Sequence, residues 1–442
     1  MTSQAKIEYD RLPYPTVIVV GGGFAGLEVV QRLAGKPYKV LLLDKQNHHC
    51  FQPLLYQVAT ASLSADSIAH PFRRTIAPMP NVAFRMTDVR AVVPAENKVI
   101  TDNGPLNYDI LIIATGSTTN FFGNKQVEEQ AMQLKSISQA LDIRSDFLQD
   151  FEAALYLKDE AHQRRQLNFV IVGGGPTGVE LAGAMAEIRK TVLRHEYLEL
   201  DSDRMMINLV DSGDRLLKAF STKSSEKALA YLQGMGVKVN FGLRVTGYDG
   251  ELLTFKDGSQ METNTVIWAA GVRGTCLPGT ESGFHPQANR YRVDAQNRVE
   301  GTTNIYALGD VALMTADTAW PDGHPQVAPA AMQQARHLAR NLLRREADRT
   351  PFRYTDKGSM ATIGRYKAVI DAGRFHMAGA LAWFGWIFVH VMSLVSFRNR
   401  MMVLFNWAWK YLSWKNTIRL IIRPYVRRTT SMDPNTPMPE VR

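Results

Sequence analysis

Cysteine is almost absent: Cys50 and Cys276 are the only two in 442 residues, and they lie far apart. Two isolated thiols rule out a disulfide framework and leave no Cys-x-x-Cys pair for redox work or metal, which fits a reducing compartment. No metal site is expected. The opening stretch, Met1–Asp10, has no apolar core and carries acids beside a single early base. Neither a signal peptide nor a mitochondrial presequence is therefore expected, and the cytoplasmic side is the default location. Excess charge is also missing from most of the chain. From Ala378 onward there are nine Lys and Arg against two acids, +7 of the net +9, so everything before it stands at +2. A basic nucleic-acid-binding domain would not look like that, and no nucleic-acid partner is expected.

What is present is globular: 45% apolar and 21% charged residues, in a chain long enough for two or three domains. The sharpest local signal is Thr16-Val-Ile-Val-Val-Gly21-Gly-Gly-Phe-Ala-Gly26-Leu-Glu28. Its branched apolar run, Val17 to Val20, reads as a buried parallel strand. In Gly21-x-Gly23-x-x-Gly26 the first glycine permits the tight turn, the second lets backbone approach a pyrophosphate, and the third lets helix and strand pack closely. The helix N-terminus then offers N–H donors and partial positive charge to phosphate. A second apolar strand, Lys39 to Asp44, ends in an acid placed to grip a ribose hydroxyl.

This pattern occurs twice. Phe169-Val-Ile-Val-Gly173-Gly-Gly-Pro-Thr-Gly178-Val-Glu180 repeats it, matching Gly21 with Gly173, Gly23 with Gly175, Gly26 with Gly178 and Glu28 with Glu180. Its following strand, Met206 to Asp211, again ends in an acid, after a longer gap in which Arg189 to Arg204 read as an extended helix and an excursion. Two fingerprints imply two nucleotide folds and two nucleotides. Three further strand-to-glycine junctions follow the same grammar: Ala114-Thr-Gly116, Ala269-Ala-Gly271 and Gly309-Asp310. Such junctions fall at the carboxyl ends of parallel strands, where open α/β sheets bind ligands.

The order of these motifs resembles the two-dinucleotide-binding flavoprotein superfamily, in which a nicotinamide domain is inserted into a flavin domain. The resemblance implies that Gly21, Gly23, Phe24, Ala25, Gly26, Asp44, Lys45, Thr115, Gly116, Gly309, Asp310 and Ala328 hold FAD. It likewise gives Gly173, Gly175, Pro176, Thr177, Gly178, Asp211, Ala270 and Gly271 to NADH. The disulfide reductases of that superfamily need a redox cysteine pair beside the flavin, and Cys50 and Cys276 are not one. Asn47-His-His-Cys-Phe-Gln-Pro-Leu-Leu-Tyr-Gln-Val-Ala59, Gly173 to Gly183 and Val327-Ala-Pro-Ala-Ala-Met-Gln-Gln-Ala335 are similar to the flavin-side loop, nicotinamide fingerprint and quinone-side segment of type II NADH:quinone oxidoreductases. That family implies hydride transfer from NADH to the flavin N5 and reduction of a membrane quinone without proton pumping. One position departs: the segment's first Gln is Pro329 here, which has no side-chain donor and no backbone N–H. Its contact is lost or supplied by Gln333 or Gln334. Quinone contacts are expected at Gln333, Gln334 and Gly364, and catalytic roles at Gln333 and Glu180. Glu180 is placed in the first turn of a helix, where it reaches the nicotinamide carboxamide, shuttles a proton, or is simply a favourable acid. His48 and His49 are loop histidines, more often structural than catalytic.

The expected architecture is therefore α/β, with two Rossmann-like domains and C-terminal membrane-associated helices. Its expected boundaries are 1–125 and 276–370 for the FAD-binding domain, 126–166 for a helical bridge and 167–275 for the NADH-binding domain. Residues 371–428 form the membrane-anchoring helices and 429–442 a disordered tail. Ala378 to Phe397 is twenty residues without formal charge, long enough for a transmembrane candidate. Met401 to Arg423 has a polar helical stripe at Asn406, Lys410, Ser413 and Thr417, with Trp407, Trp409, Tyr411 and Trp414 as aromatic anchors. Eight Lys and Arg and no acids lie between Arg398 and Arg428. A basic amphipathic helix of this kind suits an anionic membrane surface. A span, a helical cover for the core and a homodimer contact are the other uses of the same residues. Among flavoproteins, a ferredoxin reductase, a sulfide:quinone oxidoreductase or an NADH-binding redox-signalling protein are the alternative readings.

Overall fold

Val17 to Val20 have the branched side chains that favour extended backbone, and they form β1, Thr16–Val20, whose last four residues are buried. The chain turns at Gly21 (φ +98°) into α1, Phe24–Leu33, and returns as β2, Lys39–Asp44. Two more strands, β3 (Val82–Met86) and β4 (Ile110–Ile113), follow the same direction. α1 turns Leu27, Val29, Val30 and Leu33 into the core beneath this sheet. The computed structural model describes residues 9–285, 289–413, 419–421 and 423–427.

The chain forms two compact units. The first comprises Met1–Cys50, Ala69–Thr118 and Val272–Lys357; the second comprises Phe51–Ile68, Thr119–Gly271 and Gly358–Arg442. The stretch 126–166, expected as a bridge, lies within the second unit. Its short strand β5, Met132–Gln133, joins the unit's sheet, and its long helix α2, Ile137–Ala154, begins on a capping box between Ser136 and Gln139.

The second fingerprint then rebuilds the first unit's plan. β6, Asn168–Val172, leads through Gly173 (φ +118°) into α3, Pro176–Ile188. The longer gap before the next strand is a π-helical turn at Arg189–Leu193, one further helical turn and a 3₁₀ turn at Ser202–Arg204. The Arg189 guanidinium ties that excursion down by donating to the carbonyls of Met205 (3.1 Å) and Met235 (2.7 Å). With β7 (Met206–Val210), β8 (Lys238–Asn240) and β9 (Thr265–Trp268), the sheet order is β5-β9-β6-β7-β8, parallel throughout. Returning to the first unit, β10, Ile305–Ala307, completes an equivalent parallel sheet, β10-β4-β1-β2-β3, and α4, Ala328–Leu342, packs against α1. The four strands β4-β1-β2-β3 and β9-β6-β7-β8 share one order, as the repeat required, while the fifth, edge strand comes last in the chain in the first sheet and first in the second.

In the second unit an antiparallel sheet of β11 (Ser359–Gly364), β12 (Lys367–Ala372) and β13 (Phe375–Ala378) precedes two helices, α5 (Ala380–Ser393) and α6 (Phe397–Ser413). The twenty uncharged residues are therefore not one helix. They close β13, turn at Gly379 (φ +86°), form α5 and break before α6. At about 1.5 Å per residue, a helix of α5's length reaches only about two thirds of a hydrocarbon core of about 30 Å. Among the described residues no helix is long and apolar enough to cross a membrane. Trp414, Thr417 and the 429–442 tail lie outside the described residues.

Candidate functional site

In the first unit, the fingerprint glycines are each required for a different reason. A Cβ at Gly21 would stand 2.4 Å from the Ala114 carbonyl oxygen, and one at Gly26 would stand 1.8 Å from that of Gly21. Gly23 meets nothing within 4 Å, so this backbone is open to a ligand, and no side chain caps α1 at its N-terminus. Asp44 does more than terminate β2. Its Oδ2 accepts the Gly22 N–H (2.6 Å) and its Oδ1 the Gln46 N–H (2.7 Å), bracing the loop while second lone pairs remain for a ribose hydroxyl. Lys45 beside it is exposed.

His49, read from sequence as a loop histidine, is buried against this loop. Its Nδ1–H donates to the Gly22 carbonyl (3.0 Å), which leaves Nε2 as an acceptor, buried and without a hydrogen-bond partner. Burial holds its pKa below the ordinary value, so the ring is neutral. An open glycine cradle and an orphaned acceptor beside it are features that suit a bound dinucleotide.

The remaining first-unit residues frame the strand ends. Thr115 donates to the Thr275 carbonyl (2.5 Å), and Gly116 (φ +70°) has open space where a side chain would be. Ser117 Oγ donates to Asp310 Oδ2 (2.6 Å), and Gln326 Nε2 donates to the Asp310 carbonyl (3.0 Å). Ala328 opens α4 with Pro329 behind it in the first turn, where a missing N–H costs no helical bond. Gln334 is buried. Its Oε1 accepts the Gly309 N–H (2.7 Å), and its Nε2 donates to His324 Nδ1 (3.2 Å), whose Nε2–H meets Asp317 (3.1 Å). Gln333 is likewise engaged at both ends with the Thr355 backbone, at 2.9 and 3.1 Å. The geometry thus makes Gln334 a support for the Gly309 turn, a role the spacing of the segment did not reveal.

In the second unit the same loop recurs. Asp211 Oδ2 accepts the Gly174 N–H and Oδ1 the Gly213 N–H, both at 2.6 Å, and a Cβ at Gly178 would stand 1.9 Å from the Gly173 carbonyl. Gly175 is open, with Pro176 and Thr177 exposed in the first turn of α3. Arg215, near enough in sequence to oppose Asp211, is instead committed to the carbonyls of Phe220 and Lys218 and to Ser225.

The two copies diverge at their matched carboxylates. Glu28 is buried, but Arg336 (2.8 Å) and Arg32 (2.9 Å) hold its carboxyl below the ordinary range. Glu180 is buried without a cation: burial pushes its pKa up to about 8, opposed only by the Thr362 N–H (3.4 Å) and the Trp386 indole. The Trp386 Nε1–H has no hydrogen-bond partner at bonding geometry. Gly183, one turn further along α3, lets β11 approach, since a Cβ there would stand 1.8 Å from the Ile363 carbonyl. Glu180 faces a narrow crevice together with Tyr56, Gln57, Thr362, Gly364, Trp383 and Trp386.

The sequence stretch Asn47 to Ala59 divides here. His48–Cys50 is a strand of the first unit, whereas Tyr56 and Gln57 sit on a short helix of the second. Trp407 Nε1 donates to Gln57 (2.8 Å), and His390 stacks on Trp386 at 4.0 Å, its pKa lowered by burial to about 4. Trp386 and His390 had no spacing signal in the sequence; they became visible only when α5 packed on β12 and brought Trp386 beside Glu180.

Glu180 has a measurable signature. Its ordinary pKa is near 4.5 and its folded value about 8, so across that window the folded state binds more protons than the unfolded one. Stability therefore falls as pH rises between those limits. Glu180→Gln removes this slope. Its unfolding midpoint relative to the unsubstituted chain should rise from pH 5 to pH 8, and a pH-independent difference would contradict the buried protonated carboxyl.

Comparison with known proteins defines the class first. Residues 15–335 match the family described as Pyridine nucleotide-disulphide oxidoreductase, and residues 357–416 match the NDH2 C-terminal domain. The chain is 33% identical over 418 residues to the type II NADH:quinone oxidoreductase Ndh of Mycobacterium tuberculosis, covering 90% of this chain and 88% of that one. This chain belongs to the type II NADH:quinone oxidoreductases and is an oxidoreductase. Its fold is that of NDH2 from Plasmodium falciparum, solved in complex with NADH (TM-score 0.85, 21% identity, 92% of this chain and all of that one). The sulfide:quinone oxidoreductase of Aquifex aeolicus shares the fold more distantly (TM-score 0.68, 18% identity, 90% of this chain and 95% of that one).

Proposed function

We propose that this chain oxidises NADH through FAD and reduces a membrane quinone to quinol without pumping protons, working at a membrane surface. The observation that carries the reading is the unequal pair of carboxylates: Glu28 is neutralised by arginines, whereas Glu180 keeps its proton up to about pH 8 beside a crevice. A quinone taking two electrons also needs two protons, and a buried carboxylic acid holding a proton at neutral pH is suited to supplying one.

FAD, when bound, supplies the two-electron chemistry between NADH and the quinone. The protein's part is to bind, orient and protonate. Gly21, Gly23 and Gly26 open the first loop to a pyrophosphate, Asp44 braces that loop, and Gln334 fixes the Gly309–Asp310 turn. Gly173, Gly175 and Gly178 do the same for NADH. Asp211 would repel a 2′-phosphate, and Arg215 is spent on its own loop, so NADH is preferred to NADPH.

Membrane association is supported by the outer faces of α5 and α6. Leu381, Phe384, Phe388 and Met392 are exposed at helical spacing on α5, and Met401, Leu404, Phe405 and Trp409 on α6. Their inner faces bury Trp383, Trp386, Val403 and Trp407. Exposed aromatics and aliphatics beside basic residues suit the interface of an anionic bilayer.

The test is stopped-flow reduction of the flavin by NADH followed by its reoxidation with a soluble quinone analogue. Glu180→Gln should slow reoxidation or weaken NADH binding at unchanged flavin content. The unsubstituted enzyme's reoxidation should slow as pH rises through about 8, a limb the variant lacks. If both half-reactions of the variant match the unsubstituted chain at every pH, Glu180 has no such role. If quinones fail to reoxidise the reduced flavin at all, the quinone reading itself falls.

A further inference from the structure

Phe121 and Phe122 are adjacent aromatics with opposite fates. Phe121 is buried against Trp268, with ring centroids 5.5 Å apart, whereas Phe122 is 70% exposed. Phe122 also has a left-handed backbone (φ +53°), which a bulky side chain adopts only at a cost, and such outliers concentrate at ligand sites. The Asn120 side chain holds it there by accepting the Phe122 N–H (2.8 Å). Neither the hydrophobic core nor the proposed chemistry at Glu180 uses this ring.

Its position follows from the sheet. The Asn120 N–H donates to the Gly271 carbonyl (3.3 Å), and the Trp268 indole N–H is shared between the carbonyls of Asn120 and Ala270, each at 2.9 Å. The loop bearing Phe122 is thereby stitched to the Ala269–Gly271 turn after β9. A Cβ on Gly271 would stand 2.9 Å from the tip of the Phe122 ring, so the ring lies directly on that glycine. The same turn abuts the fingerprint: a Cβ on Gly173 would stand 2.7 Å from the Ala269 backbone. Fingerprint loop, Ala269–Gly271 turn and Phe122 ring therefore form one continuous rim at the carboxyl end of the sheet.

A dinucleotide lies across such a rim with its pyrophosphate at the glycine loop. Asp211, at the end of β7, marks the adenosine side. β9 lies on the other side of β6 from β7, so the nicotinamide half extends toward β9 and Phe122. Resting on the reading of the second unit as the NADH-binding half, we infer that the Phe122 ring is the aromatic surface on which the nicotinamide end of NADH stacks. It makes Phe122 a residue that binds the reacting end of the substrate. The exposed ring supplies apolar area and a π-face that become useful only when an aromatic ligand covers them.

The test compares binding of NAD+ and ADP-ribose, which lacks the nicotinamide, to the flavin-loaded enzyme by calorimetry, with steady-state NADH kinetics alongside. Phe122→Leu and Phe122→Ala should weaken NAD+ binding and raise the NADH KM about tenfold, which is about 1.4 kcal/mol. ADP-ribose affinity should stay unchanged, and Phe122→Tyr should restore NAD+ binding. A merely structural loop residue would weaken both ligands together, which overturns the inference, as would an NAD+ Kd indifferent to all three substitutions. If the unsubstituted enzyme binds ADP-ribose and NAD+ nowhere in the second unit, so that Gly178→Ala alters neither Kd, the NADH reading falls and takes this inference with it.

Discussion

Replacing Arg427 with alanine is expected to cost about 3–5 kcal/mol of stability, the scale for stripping one partner from a buried ion pair. Arg427 follows a run of surface cations, but its guanidinium reaches two carboxylates on α2. It bonds Asp146 in a fork at 2.8 and 2.9 Å and Asp150 at 2.6 and 2.7 Å, with Thr265 Oγ1 at 2.8 Å. Asp146 and Asp150 are almost wholly buried. Burial, and then the neighbouring Asp146 charge, raise the Asp150 pKa, while Arg427 pulls it down. Without the arginine, nothing opposes the rise at Asp150, which must be protonated to stay buried. The unfolded chain releases that proton near the ordinary value of about 4, so between there and the raised folded value the variant loses stability as pH rises. The loss should be largest near pH 8 and shrink toward pH 5. Arg427→Met combined with Asp146→Asn and Asp150→Asn should recover most of it, because no uncompensated charge is left behind. An Arg427→Ala midpoint equal to that of the unsubstituted chain at pH 8 would show that the arginine compensates nothing. The neighbouring contacts point the same way, with Arg423 on Asp142 and the Tyr425 N–H on Gln149 (2.7 Å), so this segment fastens the chain beyond α6 to α2.

What could be read from the sequence was what depends on local spacing. Val17 to Val20 and Phe169 to Val172 became strands because branched residues in an unbroken run leave the backbone little choice. Gly26 and Gly178 were legible because a contact of under 2 Å between a helix and its loop permits one residue type only. Asp44 and Asp211 were placed correctly at strand ends, yet their bracing of Gly22 and Gly174 was invisible, since it depends on how the loop folds back. Residues whose role comes from distant partners gave no signal. Arg427 looks like its neighbours until α2 brings Asp146 and Asp150 to it. Glu28 and Glu180 occupy matched positions, and Arg32 one turn along α1 together with the tertiary placement of Arg336 separates a paired carboxylate from a protonated one. Quinone contacts at Gln333 and Gln334 were what the family resemblance implied, and that resemblance carries no sign that Gln334 is buried or that both side chains are engaged. The uncharged run from Ala378 to Phe397 was long enough to be one span; Gly379 and the break before Phe397 confine its helix to Ala380–Ser393, apolar on its exposed and its buried face alike.

The matched third glycines offer the other large effect, and they test which nucleotide each loop takes. A Cβ at Gly26 or Gly178 would stand 1.8 or 1.9 Å from a backbone carbonyl oxygen, well inside contact distance. No rotamer can relieve a clash between Cβ and backbone, so the helix must move off its loop, carrying its N-terminal donors away from the phosphates. Because the two loops are built alike, the two alanine variants suffer the same local insult, and any difference between them reports the ligand. Gly26→Ala should be isolated with most of its flavin missing, seen as a lowered ratio of flavin to protein absorbance. Gly178→Ala should retain flavin but need about a hundredfold more NADH for half-saturation, about 2.8 kcal/mol at about 1.4 kcal/mol per tenfold change. Flavin loss in Gly178→Ala with a raised NADH KM and retained flavin in Gly26→Ala would reverse the assignment of the two loops. Equal loss of flavin in both variants would mean that the second loop also supports the flavin. The result expected, one variant blind to flavin and the other to NADH, follows from a single steric fact occurring twice in one chain.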